Sequence, residues 1–509
     1  MSFTSNLFII FLVISLAAYY MLPLHRRWII LLAASYVFYV WAGGPAVLFL
    51  LYSTAVSFLA GRRIQAVYER EKEDRKTARL HARRVVILGM LLDFAMLAVL
   101  KYTSDVTSLI NHVSGSDIPL RKWILPLGIS YYTFQTTAYM LDVYWKRTTA
   151  ENNPFRYALF ASWFPQMAQG PIGRYGTLMP RLLEGHAFQW KNIRYGLMRM
   201  VWGLFKSMLL AGWASLYREA ICSDLDGHAG IAVFIVLLYS VELYGSFSGG
   251  IDLIIGISTL FGVTLDENFR RPYFSVSIAD FWRRWHITLG TWMRDYLMYP
   301  LTLSRRMGKI GKWSRKHFGK KVGLLIPMCI STIIVFLAVG LWHSASLNNI
   351  GWGLYNGFII AVSNLLSGPY KAWKKALHVN DQSRGWKVFM IIRTFALVNI
   401  GWLFDTMSSA GDAVKVIRYS FTRFDLSQFL TIPAGRLGTG YTPVALVILG
   451  IGIGILFLVS FLQENGMHIR DTLSRYPVII QLLLCVGMLT CTALLSPMAA
   501  PGGFIYAQF

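Results

Sequence analysis

The sequence predicts an all-α protein that crosses a membrane many times. Hydrophobic residues make up 55% of the 509 residues, and the mean hydropathy is +0.47. The core of a soluble domain of this length needs far less apolar surface. Apolar stretches of about 17 to 22 residues, long enough to cross a bilayer as a helix, recur along the chain. We therefore expect about eleven to thirteen transmembrane helices, together with re-entrant segments.

The expected spans follow one another along the whole chain. Their predicted positions are 5–23, 27–43, 46–61, 85–101, 123–142, 194–214, 229–246, 322–342, 346–366, 387–405, 443–462 and 477–496. Broken backbone at membrane depth needs cover from protein or water, so apolar stretches interrupted by Pro or Gly are predicted to be re-entrant. These stretches are 157–173, 249–263 and 285–303. Residues 1–7 are not basic and no cleavage site follows, so we expect the first stretch to remain as a helix.

The net charge of +24 comes largely from short basic connections between the apolar stretches. In a soluble protein such a charge would suggest binding to nucleic acid. Here residues 62–84 hold nine Lys or Arg against four acids, and residues 305–321 hold eight against none. The positive-inside rule places both loops in the cytoplasm. Contact with anionic lipid headgroups is the simplest interpretation, and attraction of an anionic ligand is compatible with it.

Sequence signatures of common cofactor sites are missing. The four cysteines show no CxxC pairing, and most lie in apolar spans, so neither a disulfide framework nor a metal site is expected. No glycine-rich phosphate loop, HExxH motif or GxSxG serine elbow occurs in a usable context. We expect no bound cofactor and no metal.

Two tryptophan-flanked histidines, His286 and His343, are the strongest functional signal. A histidine at membrane depth costs free energy unless it faces a polar cavity or a partner. His343 follows an almost uncharged run that begins at Val322. On a continuous helix it lies about 33 Å from Lys321, so we expect it far from the basic loop. A hydrogen-bonded core histidine is the competing interpretation.

The surroundings of His286 are rich in Arg and Trp. Ser277 or Asp280 is expected to cap a helix that carries Trp285 and His286 along one side. An interfacial helix at the lipid headgroups would explain this composition as well as a catalytic segment does. A neutral imidazole can take the proton of an alcohol that attacks an acyl carbonyl. A second histidine can then orient a thioester carbonyl or stabilise its oxyanion.

Three further segments are predicted to line the same cavity because polar residues interrupt their apolar pattern. These segments are 125–145, 164–182 and 241–258. Buried carboxylates such as Asp252 are usually paired, and Arg174, Arg270 and Arg271 are the expected partners. Around the catalytic candidates His343 and His286, the expected tunnel residues are Trp285, Trp342, Ser344, Arg283, Arg284, Asp252, Gln135, Gln166 and Arg174.

At these residues the chain resembles the membrane-bound O-acyltransferase (MBOAT) family. The resemblance is to its bacterial branch of alginate O-acetylation and teichoic acid D-alanylation membrane proteins, over nearly the whole length. FWRRWH and LWHSAS, whose histidines are His286 and His343, are specific for the family. The other motifs are LPLGISYYTFQ at 125–135, FPQMAQGPIGRY at 164–175, FSGGIDLIIGIS at 247–258, NFRRPYF at 268–274 and FIYAQF at 504–509.

The resemblance implies one integral-membrane domain, 1–509, with a ring of helices around a central tunnel. Its core is expected at roughly 120–405, after N-terminal helices in 1–119 and before C-terminal helices in 406–509. His343 takes the place of the invariant family histidine, and His286 that of the second one. The chain departs from the family pattern at two places. Ser344 stands where the family often has Gly, and Gly245-Ser246-Phe247 stands where it often has Asp-Phe. Both departures are expected to alter the width of the tunnel or the substrate.

The resemblance also implies the reaction. A thioester donor enters from the cytoplasm, and the acyl group is delivered to a hydroxyl of a cell-surface polysaccharide. Family members commonly work with an extracytoplasmic, membrane-anchored acyltransferase in the bacterial cytoplasmic membrane. We expect acetyl-CoA as the donor, and an acyl carrier protein thioester is the alternative donor. The alternative reaction is the transfer of a D-alanyl group from such a carrier toward teichoic acid. A proton-coupled transporter and a non-catalytic scaffold are the alternatives of another class.

Overall fold

The computed structural model describes residues 3, 5–120, 123, 125–432 and 442–497. Within these ranges the chain is helical, and the only strand-like pairing is an isolated antiparallel bridge between Phe269 and Trp285. The predicted all-α class is therefore confirmed. The terminal motif at 504–509 lies outside the described residues.

The helices are numbered in chain order. The first eleven are α1 (Asn6–Met21), α2 (Arg27–Gly43), α3 (Val47–Arg70), α4 (Arg75–Ser114), α5 (Ile129–Tyr144), α6 (Pro154–Ser162), α7 (Phe164–Met167), α8 (Tyr175–Leu183), α9 (Trp190–Leu204), α10 (Ala211–Cys222) and α11 (Phe234–Leu260). The next eleven are α12 (Ile278–Arg284), α13 (Ile287–Met293), α14 (Tyr299–Thr302), α15 (Arg305–His343), α16 (Leu347–Leu365), α17 (Ser367–Ala376), α18 (Arg384–Thr406), α19 (Ala410–Thr422), α20 (Thr442–Glu464), α21 (Ile469–Leu473) and α22 (Val478–Leu495). Wider π-helical turns join α9 to α10 and α13 to α14.

Each of the apolar stretches expected to span the membrane contains a helix. Among the described residues, seven helical segments are long and apolar enough to cross a bilayer, or eight if the bent pair α16–α17 is one span. This number is lower than eleven to thirteen, partly because α2 and α3 count as one segment, Leu24–Arg70. The helices α1 and α5 are also short, with 16 residues each. The chain is a multi-pass membrane protein.

One of the predicted re-entrant segments is wrong. Residues 249–263 do not form a broken segment, because α11 runs without interruption from Phe234 to Leu260. Its glycines serve close packing instead of a break: a Cβ on Gly249 would lie 2.6 Å from the carbonyl oxygen of Gly203. The other two segments do consist of short helices, α6 and α7 in one and α13 and α14 in the other.

The chain forms two compact units. Of the described residues, the first unit contains those up to Trp202 together with Gly250–Glu267, and the second contains Gly203–Gly249 and those from Asn268 onward. In the first unit, α5 is almost entirely buried and packs against α3 and α4. Its apolar core includes Tyr39, Leu50, Leu97, Leu100, Ile129, Tyr132 and Met167.

In the second unit, the basic stretch 305–321 is helical, although a loop was expected. It forms the first limb of α15, and the chain reverses at Gly319, whose φ of 74° and ψ of 170° suit glycine. A Cβ on Gly323 would lie 2.5 Å from the backbone of Arg315, so the basic limb folds back against the start of the span. All eight basic side chains of this limb and turn are exposed.

The other end of α15 packs tightly against α16. Glycines form the contact, since a Cβ on Gly353 would lie 2.5 Å from the carbonyl oxygen of Phe336, and one on Gly357 would lie 2.9 Å from Ile333. Small residues at such a seam let two helix backbones approach closely. The α15–α16 pair therefore places the last residue of α15, His343, at a rigid corner of the second unit.

Candidate active site

The turn that carries His286 differs from the expected helix. Ser277 does cap α12 by accepting a hydrogen bond from the Asp280 backbone N–H. However, α12 ends at Arg284, and His286 takes a left-handed conformation with φ 46° and ψ 53° before α13 begins. Trp285 and His286 thus do not continue one helical side, and that prediction is wrong.

Backbone pairing with a distant segment explains this break. The N–H of Arg270 donates to the carbonyl of Arg284 at 2.9 Å, and the N–H of Ile287 donates to the carbonyl of Asn268 at 3.0 Å. These two bonds engage backbone groups on both sides of His286 that a continuous helix would have used. A left-handed residue costs free energy outside glycine, and such residues are frequent at functional sites.

The side chain of His286 is buried, with 4% of its surface exposed. Its Nδ1 lies 3.2 Å from Oδ1 of Asn268, and the ring of Phe247 packs edge-on at 4.9 Å. Burial, together with the nearby charge of His343, lowers the pKa of His286 to about 3. The imidazole is therefore neutral at physiological pH.

Aromatic rings surround the neighbouring residue, Trp285, which is 2% exposed. The ring of Phe281 stacks on it at 5.4 Å, Phe269 packs edge-on at 5.0 Å, and Trp402 lies at 5.8 Å. This cluster fixes the position from which the backbone enters the His286 turn. Aromatic pairs in these geometries contribute about 0.5–1.5 kcal/mol each beyond their burial.

His343 lies in a more open setting at the end of α15. Its side chain is half-buried, and its ring contacts those of Trp342 at 4.6 Å and Trp352 at 5.8 Å. Trp352 in turn packs edge-on against Trp282 of α12 at 5.3 Å. This chain of rings connects the helix that carries His343 to the helix that precedes His286.

The residue after His343 ends the helix. Ser344 has an extended backbone, and its hydroxyl accepts a hydrogen bond from the N–H of Ser346 at 3.1 Å. Trp342 and Ser344 therefore lie beside His343 as the sequence predicts. Because the charge of His343 lowers the pKa of His286, the fold brings the two histidines near each other although they are 57 positions apart in the chain.

Of the two arginines between Trp282 and Trp285, Arg284 links α12 to another helix of the second unit. Arg284 pairs with Asp280 at 3.2 Å and with Glu464 of α20 at 3.0 Å. The side chain of Arg283 is 72% exposed and approaches Asp280 at 3.3 Å. An exposed pair of this kind contributes little stability. Their expected role beside the tunnel stays a prediction.

The remaining predicted tunnel residues belong to the first unit. They are Gln135, Gln166, Arg174 and Asp252. Gln166 donates to the side-chain oxygen of Gln135 at 3.0 Å, and Gln135 donates to the Phe160 carbonyl at 2.7 Å. Both glutamines are buried. Arg174 lies immediately before α8 and is partly buried. The sequence thus correctly placed polar side chains inside the bundle at 135 and 166, while their contact with a substrate stays a prediction.

Asp252 is paired, as the sequence predicts for a carboxylate at membrane depth. Arg199 of α9, which the sequence did not single out, donates to it at 2.9 Å and also binds Glu267. Pairing with Arg174, Arg270 or Arg271 stays a prediction.

Two buried polar residues, Asn268 and Lys206, were not predicted from the sequence. Asn268 contacts His286 directly. Lys206 is buried in the π-helical turn after α9, where its Nζ lies 2.8 Å from the hydroxyl of Ser248 and 5.4 Å from the ring of Tyr244. A lysine inside an apolar run was the available signal for Lys206, since such residues and π-turns are often functional.

Comparison with known proteins agrees with this site. Residues 148–404 match the MBOAT, membrane-bound O-acyltransferase family. The chain is 30% identical to the protein named "Probable alginate O-acetylase AlgI" of Pseudomonas aeruginosa, over 88% of this chain and 81% of that protein. It is 31% identical to the peptidoglycan O-acetyltransferase of Helicobacter pylori, over 65% and 64%. The teichoic acid D-alanyltransferase of Bacillus subtilis is 24% identical, over 56% and 69%.

The apolar helices and the family match show a multi-pass membrane enzyme that transfers acyl groups. The chain belongs to the membrane-bound O-acyltransferase family and is an O-acyltransferase. This assignment favours the enzyme over the transporter and the scaffold.

Proposed function

We propose that this enzyme moves an acetyl group from a cytoplasmic thioester across the membrane to a hydroxyl group of a cell-surface polysaccharide. The observation that supports the chemistry is the pairing of a buried neutral histidine, His286, with a half-buried one, His343. The names of the relatives from Pseudomonas and Helicobacter, an alginate O-acetylase and a peptidoglycan O-acetyltransferase, support an acetyl group and a polysaccharide acceptor.

His343 is the proposed general base. It is the last residue of α15, and its side chain is only half-buried. In the reaction the acceptor oxygen forms a bond to the acyl carbon, and the carbon–sulfur bond of the thioester breaks. The hydroxyl proton passes to His343 and then to the departing thiolate, which leaves as a free thiol. General base catalysis of this kind typically contributes about 10²- to 10⁴-fold.

Acetyl-CoA is the proposed donor, and a carrier-protein thioester is the alternative. The exposed cations of the basic limb, among them Arg305, Arg306, Lys309 and Lys312, give this face a positive potential that attracts an anionic donor. Acetyl-CoA added to inside-out vesicles should therefore support acylation, and salt should weaken the effect. Equal activity of sealed right-side-out vesicles, given the donor only outside, would contradict this orientation.

The proposed location is the bacterial cytoplasmic membrane, with an extracytoplasmic, membrane-anchored acyltransferase as the partner that completes transfer to the polymer. The relatives come from bacteria, which supports the location. The relative from Bacillus subtilis favours a second candidate, transfer of a D-alanyl group toward teichoic acid. Deletion of the gene distinguishes the two, because either acetate or D-alanine will be lost from the base-labile acids of the cell surface.

Reconstitution tests the reaction itself. We would purify the protein into liposomes, add acetyl-CoA and a hydroxyl acceptor, and measure thiol release with and without the partner. His343→Ala should abolish release, whereas His468→Ala, an exposed histidine whose side chain caps no helix, should not. If wild-type protein releases no thiol in either sample although the partner is folded, the proposal fails.

A further inference from the structure

We infer that Asn268 is a positioning residue that holds His286 as the tautomer with its proton on Nδ1, so that Nε2 acts as a hydrogen-bond acceptor. Neither the tautomer nor a role for Asn268 follows from the two histidines alone. The inference depends on the identity of the single Asn268 atom that faces His286.

The contacts of that atom show that it is the oxygen of the amide. The backbone N–H of Thr288, which can only donate, lies 3.0 Å from Oδ1 of Asn268. The amide nitrogen in this place would set two donors against each other. The hydroxyl of Thr288 donates to the same oxygen at 2.9 Å. Asn268 itself is fully buried, and its backbone carbonyl is bound by Ile287, so its position is well determined.

The proton of His286 follows from this assignment. Its Nδ1 lies 3.2 Å from the same oxygen. A bare Nδ1 would set a lone pair against an acceptor, so Nδ1 must donate. In a neutral imidazole only one nitrogen carries a proton, and Nε2 therefore has a lone pair. Burial keeps the ring neutral, because it lowers the pKa of His286.

The tautomer limits what His286 can do in the reaction. A ring whose Nε2 lacks a proton cannot use that nitrogen to stabilise an oxyanion or to polarise the thioester carbonyl. It can accept a hydrogen bond from an O–H group of the acceptor other than the attacking hydroxyl, whose single proton goes to His343, and so orient the acceptor. This role rests on the proposed function, whereas the tautomer does not. Asn268 acts through His286 and needs no contact with substrate.

Solid-state ¹⁵N NMR of protein with labelled histidine, reconstituted in liposomes, tests the tautomer directly. His286→Gln identifies the His286 signals by their loss. We expect wild type at pH 7 to show a protonated Nδ1 and an unprotonated Nε2 for this residue. A protonated Nε2, or an imidazolium at pH 7, would overturn the inference.

Asn268→Asp tests whether Asn268 controls the protonation of His286. The carboxylate still accepts from Thr288, but its charge stabilises the imidazolium, and an opposite charge at this distance shifts a pKa by about 1 to 3 units. The NMR titration of His286 should move to higher pH by that amount. Asn380→Asp, on an exposed loop, is the matched control and should not move it.

Failure of the two proposals gives different results. If His286 shows the expected tautomer but no thiol is released, the proposed function fails and the assignment of Asn268 stands. If thiol is released and Asn268→Asp leaves the NMR titration of His286 unchanged, the inference about Asn268 fails and the enzyme assignment stands. An unfolded Asn268→Asp would leave the wild-type spectrum to decide.

Discussion

The two histidines of this protein sit in opposite surroundings. His286 lies in a turn between two short helices, is 4% exposed, and contacts Asn268 through its ring. His343 ends a long helix, is half-buried, and contacts tryptophan rings. Burial favours a neutral ring at the first position, whereas the ring at the second position is only half-buried. The same side chain can thus serve as a fixed acceptor in one place and as a base in the other.

The largest effect should come from the helix-end histidine. His343→Ala should reduce acyl transfer by about 10²- to 10⁴-fold, because the proton of the acceptor loses its destination. Expression and membrane insertion should not change. The measurement is thiol release in liposomes, with His468→Ala as the control. A variant that keeps more than about a third of wild-type transfer would show that His343 is not the base.

The buried histidine should have a large but smaller effect. His286→Gln keeps a donor and an acceptor but cannot act as a base. If His286 only orients the acceptor, the loss should be about 5- to 150-fold, as for a buried polar group left without its partner. Donor binding should be unchanged in a pull-down with a non-hydrolysable thioester analogue. Activity as low as that of His343→Ala, with normal donor binding, would reverse the two roles.

The different burial of the two rings also predicts how acid affects stability. The pKa of His286 falls from 6.5 to about 3 on folding, so below pH 6.5 the unfolded chain binds the proton more tightly. The stability that comes from the neutral ring is therefore complete above pH 6.5 and is lost as the pH falls toward 3. One proton changes the free energy of unfolding by at most about 1.4 kcal/mol per pH unit.

Thermal unfolding in detergent at pH 7 and pH 5 measures this effect. Wild type should lose more stability between these two pH values than His286→Gln does, because the variant has no imidazole at this position. The quantity to compare is the loss of stability between the two pH values in each protein, because the other titrating groups are the same in both. Equal losses in both proteins would mean that His286 is protonated as easily in the fold as in the unfolded chain.

The smallest effect should come from the ring beside the base. Trp352→Phe keeps an aromatic ring but reduces the area of its contact with His343. The centres of the Trp352 and His343 rings lie 5.8 Å apart. Volume loss and repacking cost less than about 1.5 kcal/mol, so acyl transfer should fall by no more than about tenfold. Trp402→Phe, next to Trp285, is the matched change on the other side and should affect thermal stability more than rate. A larger loss of rate in Trp402→Phe than in Trp352→Phe would place the base near His286.

Local patterns in the sequence predicted much of this structure. Apolar stretches of spanning length all contain helices, and the Ser277 cap lies at the start of α12 as expected. The sequence also indicated buried polar residues at Gln135 and Gln166 and a paired carboxylate at Asp252. Each of these features depends on neighbours along the chain, so hydropathy and capping rules suffice to find it.

Contacts between distant residues account for the features that were missed. The helix was expected to continue through Trp285 and His286, but pairing with 268–270 breaks it. Arg199 was not singled out as a partner of Asp252, because that pairing depends on the packing of α11 against α9. The basic stretch was taken for a loop, although Gly319 allows it to fold back as a helix.

By itself, the sequence determined the membrane class, most helices and the two histidines as candidates. Hydropathy and rare polar residues are properties of short segments, and the bilayer converts them directly into structure. Only the tertiary structure decided how the histidines differ. The protonation of an imidazole depends on burial and on the atom that faces each nitrogen, and for His286 that atom belongs to Asn268, which lies 18 positions away in the chain.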